Sequence, residues 1–322
     1  MKSVQQEIDE RTALTANNKF ELMLFRLGRA AGADHSDLYG INVFKLREIV
    51  AMPTINSIAN SPPHVLGVVN VRGQIITVID LPSVLGCTPA TGLNILLITE
   101  YARTTQAFAV EAVDEIVRLE WSQVRPAVGA AAGNGTVTSI AQLDTDVHNT
   151  RLAQVLDVEQ ILRSVLPPKD EDVSPEKVGP QVSLSDDSFI LAADDSASAR
   201  MLIEQSLQAI GAKYVMTKSG KEAWERLHDI AEEAAKEGRT VRDKVAMVLS
   251  DLEMPEMDGF TLTRNIKGDP RFQSIPVVIH SSLSGSTNEQ HVKSVGANGY
   301  VAKFNAEELT GIIRRIVSGA PA

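Results

Sequence analysis

Apolar and polar positions follow two rhythms along this chain. From Phe20 to about residue 166, short β-type runs alternate with Gly- and Pro-rich breaks: FELMLFRLG, LYGINVFKLREIV, VVNVRGQIITVIDL, NILLITEY, QAFAVEAVDEIVRLEW and VTSIAQLD. Many short strands with this punctuation predict a small barrel or a pair of them. LYGINVFKLREIV mixes strand with one helical turn, and MPTINSIANSPPHVLG is a long connection. In TRLAQVLDVEQILRSVL the apolar residues Val158, Ile161, Leu162 and Val165 predict a helix that closes the domain, after a strand through Leu152 to Leu156.

Beyond residue 187 the rhythm changes. FILAA, YVMT, VAMVLS, PVVIHS and GYVAK read as strands. Helical patterns separate or follow them: SARMLIEQSLQAIG ending at Gly211, GKEAWERLHDIAEEAAKEG, FTLTRNIKG, TNEQHVKSVG and AEELTGIIRRIV. Strands alternating with helices predict a doubly wound parallel sheet. The run Val245 to Leu249 is apolar throughout, as a strand buried on both faces requires. Asp258 is placed to cap a helix starting near Gly259.

Two polar segments frame these patterns. Residues 1–17 form an N-terminal polar segment with a weak helical stripe at Val4, Ile8 and Leu14. Residues 167–187 hold four prolines and six acids against two lysines, the composition of a linker. As flexible coil it would span roughly 25 Å. The expected organisation is therefore 1–17, a β-rich domain over 18–166, a linker over 167–187 and an α/β domain over 188–322.

Composition narrows the function. A net charge of −10 argues against an electrostatic grip on nucleic acid or anionic lipid. No window reaches the ~20 apolar residues of a membrane span, and the N-terminus has no signal-peptide core. Cys87 is the only cysteine, which excludes an internal disulfide and a cysteine metal cluster and fits a reducing, cytoplasmic setting. In the first half, His35, His64 and His148 have no ligand spacing, and nothing there predicts catalysis.

The second half carries candidate chemistry. Asp194 and Asp195 follow FILAA, Asp251 follows VAMVLS, Ser281 ends PVVIHS and Lys303 ends GYVAK. In a parallel sheet these ends share the edge where ligands bind. Two carboxylates ~4 Å apart cost ~4 kcal/mol at an effective dielectric of about 20, so a proton or cation must offset them. Oxygen donors with room for water suit Mg²⁺. The joint reading is a phosphoryl acceptor. Asp251 is the nucleophile, Lys303 and Mg²⁺ neutralise phosphoryl oxygens, and Ser281 donates a hydrogen bond.

Asp194-Asp195, the DLEMPEMDG run from Asp251, Ser281 and Tyr300-Val301-Ala302-Lys303 resemble the response-regulator receiver domain over roughly 188–320. Ser281 follows Asp251 by 30 residues and Lys303 follows Ser281 by 22, as receivers commonly show. The resemblance implies a flavodoxin-like five-stranded parallel sheet in the order 2-1-3-4-5. It implies Asp251 as the phosphorylated residue, and Mg²⁺ held by Asp195, Asp251 and the main-chain carbonyl of Glu253, with Asp194 acting mainly through water. Ser281 and Tyr300 stand at the switch positions. The 57 residues from Asp194 to Asp251 exceed a minimal receiver by about a dozen, around EEAAKEGRTVRDK. Ser282 stands where a smaller residue is frequent, and Phe304 follows Lys303 where many receivers have proline.

The first half is similar to the CheW-like coupling domain, most specifically in Gly67-Val-Val-Asn-Val-Arg72-Gly73 and Val78-Ile79-Asp80-Leu81. That resemblance implies an all-β double barrel of two intertwined five-stranded units with flanking helices. It also implies contacts with a chemoreceptor cytoplasmic tip and a histidine kinase, Arg72 being partner-binding. A coupling domain fused to a receiver is the arrangement of CheV-type chemotaxis proteins. It implies a phosphoacceptor adaptor rather than an enzyme, recruited to membrane receptor arrays, with the kinase as phosphodonor and the receiver able to catalyse its own phosphorylation and dephosphorylation. The alternative is a phosphate sink that drains the kinase. A haloacid-dehalogenase-type phosphatase would want a second Asp where Glu253 stands.

Overall fold

A computed structural model describes residues 19–101, 104–144, 150–167, 178–254, 256–281, 292–303 and 305–318. The 1–17 segment, His148, Ser282 and Phe304 lie outside them. The chain divides into two compact units, Met1–Pro168 and Lys169–Ala322.

In the first unit some strands send one face inward by period-two alternation, as Val137–Gln142 does, while Phe20–Arg26, Leu38–Asn42 and Thr104–Val110 bury consecutive residues on both faces. Besides a two-residue pairing of Arg29–Ala30 with Cys87–Thr88, the strands among its described residues are β1 (Phe20–Arg26), β2 (Leu38–Asn42), β3 (Leu46–Ala51), β4 (Val65–Val71), β5 (Gln74–Asp80), β6 (Ile95–Tyr101), β7 (Thr104–Val110), β8 (Ala112–Leu119), β9 (Val124–Pro126), β10 (Val137–Gln142) and β11 (Leu152–Leu156). They form a six-stranded sheet, β8-β1-β2-β11-β10-β9, and a five-stranded sheet, β3-β6-β7-β5-β4. The chain enters the first sheet, builds the whole second sheet, and then returns to finish the first. Leu22, Leu24, Ala153 and Val155 fill one core, and Ile76, Val78, Leu96 and Ile98 the other. The resemblance implies five strands in each unit. The sixth here is β9, three residues long and ending in Pro126.

Among the described residues, the α-helices of this unit are α1 (Leu81–Leu85) and α2 (Val158–Val165). α2 is the closing helix, preceded by β11 as the apolar pattern predicts. Glu159 in its first turn is buried and pairs with Lys45 at 3.1 Å. That ion pair ties α2 to the single helical turn, Val43–Lys45, between β2 and β3.

The second unit is α/β. Its elements are β12 (Phe189–Ala193), α3 (Ala197–Ala209), β13 (Tyr214–Thr217), α4 (Gly220–Lys236), α5 (Val241–Lys244), β14 (Val245–Ser250), α6 (Gly259–Gly268), β15 (Val277–Ser281), β16 (Gly299–Ala302) and α7 (Ala306–Val317). The sheet runs β13-β12-β14-β15-β16, and every pairing is parallel. Numbered within the unit, that is the order 2-1-3-4-5. All six residues of β14 are buried, which accounts for its unbroken apolar run. Of the helix expected near TNEQHVKSVG, residues 287–291 lie outside the described residues, and 292–294 are helical.

The extra length around EEAAKEGRTVRDK extends α4 to 17 residues and adds α5. Trp224 on α4 meets Phe272 edge-on at 5.3 Å, anchoring the long helix beside the segment after α6.

The compositional linker and the packed region overlap. Residues 168–177 lie outside the described residues, but Val178 is fully buried in the core of the second unit. The Val178 carbonyl accepts from Thr310 Oγ1 at 3.0 Å and from Arg314, both on α7. Val182 N donates to the Ile210 carbonyl at 2.8 Å, and Val182 and Leu184 pack on the same core. Residues 178–184 thus form a strap along α3 and α7.

Candidate functional site

The site is built from strand ends. β12 and β14 are neighbours whose following helices diverge, which makes a switch point in the sheet. Asp194 and Asp195 leave the end of β12, and Asp251 leaves the end of β14. Asp251 N donates to the Ala193 carbonyl at 2.8 Å, which fixes the acidic loop and the β14 end side by side. Asp194, Asp195 and Asp251 each offer one carboxylate oxygen, and these oxygens lie within 4.8 Å of one another.

Lys303, just past β16, reaches into this group. Its Nζ lies 2.9 Å from Asp194 Oδ2 and 2.8 Å from Asp251 Oδ2. Asp194 is 0% exposed, Asp251 3% and Lys303 2%, while Asp195 is only half-buried. Asp194 Oδ1 accepts from Ser196 N at 2.9 Å, and Asp251 Oδ1 from Leu252 N at 2.6 Å. Burial pushes the Asp194 carboxyl well above the ordinary range; Lys303 opposes this, and the Asp251 and Asp195 charges add to it.

Ser281 ends β15, one strand from Asp251, and is buried; its carbonyl accepts from Lys303 N at 2.9 Å. Tyr300 lies in β16, register-paired with Ile279, and its hydroxyl is shielded from solvent. Glu253 stands two residues past Asp251, in the loop that leads to α6, and both of its carboxylate oxygens are shielded. The structure therefore gathers Asp194, Asp195, Asp251 and Lys303, and sets Ser281, Tyr300 and Glu253 on the adjoining strands and loop. Arg72 belongs to the first unit. It is the first residue of the two-residue turn between β4 and β5, where Arg72 and Gly73 have φ of 50° and 84°. Its side chain is 75% exposed and pairs with Glu48 at 2.9 Å.

Two more residues shape the loops: Gly259, which sequence reasoning read only as a helix start, and Arg200, which it missed. A Cβ at Gly259 would lie 2.2 Å from the Asp251 carbonyl oxygen, so only glycine lets α6 start so close to that residue. Arg200 on α3 donates to the carbonyls of Asp194 and Asp195 at 2.8 and 2.7 Å.

Three carboxylates and one ammonium sum formally to −2 if all are ionised. All the acidic donors are oxygens. A small divalent cation fits both the charge and the donor chemistry.

Comparison with known proteins assigns both units. Residues 21–166 match the CheW-like domain family, and residues 190–314 match the response regulator receiver domain family. The chain is 30% identical over 315 residues to the chemotaxis protein CheV3 of Helicobacter pylori, covering 94% of this chain and 97% of that protein. The chain belongs to the CheV family. A second CheV relative, CheV2 of the same organism, is 27% identical over 329 residues, 97% of this chain and 99% of that protein. A solved scaffolding protein, TtCheW from Thermoanaerobacter tengcongensis, overlaps 43% of this chain and 88% of its own at 26% identity, with a TM-score of 0.36. As a CheV protein the chain is a chemotaxis signalling adaptor in which a CheW-like domain precedes a receiver. No helix among the described residues is long and apolar enough to cross a membrane.

Proposed function

We propose that this adaptor couples the cytoplasmic tips of chemoreceptors to a histidine kinase, and that Mg²⁺-dependent phosphorylation of Asp251 regulates it. The observation that carries this reading is the single buried ammonium shared by two carboxylates, Lys303 with Asp194 and Asp251 at 2.9 and 2.8 Å, beside the half-buried Asp195. A permanent structural ion pair needs one acid per base. A surplus of two negative charges at the sheet edge fits a site that receives a cation.

Asp195, Asp251 and the main-chain carbonyl of Glu253 are the groups that would hold Mg²⁺. Asp194, the fully buried one of the three, would act mainly through water. Bound there, the ion supplies positive charge to the phosphoryl oxygens. An Asp251 carboxylate oxygen forms the new P–O bond as the P–N bond of a kinase phosphohistidine breaks. Protonated on its other ring nitrogen, the donor ring leaves as neutral imidazole, with its electron pair on the nitrogen that lost phosphorus. The Lys303 ammonium faces the incoming charge, and the Ser281 hydroxyl donates to a phosphoryl oxygen. Ser281 and Tyr300 then shift together, and the receiver alters the coupling domain or the chain between the two. In the first domain, the exposed guanidinium of Arg72 is a contact for the receptor or kinase.

Incubation of the full chain with a phosphorylated histidine kinase tests this. Label should pass to the wild type with Mg²⁺ and fail to pass without it. Label on Asp251→Asn under the same conditions would defeat the assignment. Rapid acceptance and loss, with receptor–kinase activity unaltered throughout, would mark a phosphate sink instead.

A further inference from the structure

Arg200 has no role in the reading above, and its place in the helix is electrostatically unfavourable. It stands in the first turns of α3, whose N-terminal end disfavours positive charge, and no acid in the first turn compensates it. The guanidinium turns back instead onto the loop that precedes the helix. One nitrogen, Nη1, donates to the Asp194 carbonyl at 2.8 Å and to the Asp195 carbonyl at 2.7 Å.

Those two carbonyls belong to successive peptide planes. The first joins Asp194 to Asp195, and the second joins Asp195 to Ser196. Each plane is rigid, so the only soft torsions between them are φ and ψ of Asp195. Holding both carbonyls from one nitrogen restricts both torsions and so aims the Asp195 Cα–Cβ bond. Asp194 has other supports: its amide donates to the Thr217 carbonyl at 3.2 Å, and its carboxylate is gripped by Ser196 N and Lys303. Asp195 is the least buried of the three clustered acids, so packing orients it least.

We infer that Arg200 is a positioning residue for a divalent cation, acting through the main chain to set the direction of the Asp195 carboxylate. The inference rests on reading the three-aspartate cluster as the Mg²⁺ site. Groups that orient a ligand from behind it typically contribute 10–100-fold in metal affinity.

Calorimetric titration of the full chain with Mg²⁺ alone tests this on the wild type, Arg200→Ala and Arg200→Lys, with thermal unfolding of each followed in the absence of metal. Arg200→Ala should bind Mg²⁺ about 10–100-fold more weakly. Arg200→Lys should recover much of the loss, since one ammonium can serve both carbonyls as Nη1 does. A purely structural role would lower metal-free stability yet leave the affinity of the folded protein unmoved, and that outcome overturns the inference alone. Should Arg200→Ala not fold, Arg200→Gln takes its place, with the same weakening expected and unchanged affinity counting against the inference. A wild type that takes up no Mg²⁺ overturns the metal reading and this inference with it.

Discussion

At the scale of single residues, two lysines that meet buried carboxylates do different work. Lys45 pairs with the buried Glu159 at 3.1 Å, a structural contact between α2 and the helical turn before β3. Lys45→Ala removes the ion-pair partner of a buried carboxylate and should cost about 3–5 kcal/mol in a denaturant titration, whereas replacing both residues by Met should be near neutral. Lys303 has two acidic partners, with a third carboxylate close by, so its charge leaves the site incomplete. Lys303→Ala should lower the rate of phosphoryl acceptance by about 10²-fold or more, read from single-turnover transfer, while the protein still binds Mg²⁺. The acids and Lys303 were legible in the sequence because each occupies the end of an apolar run, a position a parallel sheet brings to one edge. Arg200 and Glu159 were not. A charged residue within a helical pattern reads as solvated, and nothing in the periodicity says that Arg200 folds back onto a loop or that Glu159 points inward.

At the scale of elements, α6 and the strap over α7 show what pattern does and does not carry. Asp258 caps α6 as read from the sequence, accepting from Thr261 N at 2.6 Å. Burial pushes its carboxyl up, against the pull of the Thr261 hydrogen bonds. The folded protein therefore holds that proton more readily than the unfolded chain. This group's contribution to stability falls as pH rises from the usual carboxylate range through the raised value. Asp258→Asn keeps a good cap without the charge. It should match or exceed wild-type stability at pH 7 and lose that advantage as the pH is lowered through the same window. Asp258→Ala should cost about 1 kcal/mol at pH 7. The strap was hidden because Val178, Val182 and Leu184 are sparse apolar positions among prolines and acids. Averaged over a window, they read as linker. Val178→Ala should nevertheless cost about 1–3 kcal/mol in unfolding of the second unit, since the methyl groups removed are fully buried.

At the scale of the whole molecule, the change of rhythm after residue 187 separated a β-rich half from an α/β half, and both halves adopt the classes their periodicities predict. Parallel strand order and the return of the chain to its first sheet depend on long-range pairing, which local pattern cannot specify; there the family resemblance supplied the answer. A short strand such as β9, three residues ending in proline, leaves no periodic signal at all. For a receiver to act on a coupling domain, phosphorylation must move a conformational equilibrium. A swing from 1:99 to 99:1 needs about 5.5 kcal/mol of differential stabilisation, and the added phosphoryl charge beside Lys303 is the source available at this site. All of this depends on Asp251 being the atom-accepting group. The direct measurement is borohydride reduction of the full chain after phosphotransfer in Mg²⁺, followed by peptide mapping by mass spectrometry. The account predicts reduction of an acyl phosphate to homoserine at position 251 and at no other carboxylate. Reduction at position 194 or 195 instead, or an unmodified residue 251 in protein that carries label, would contradict it.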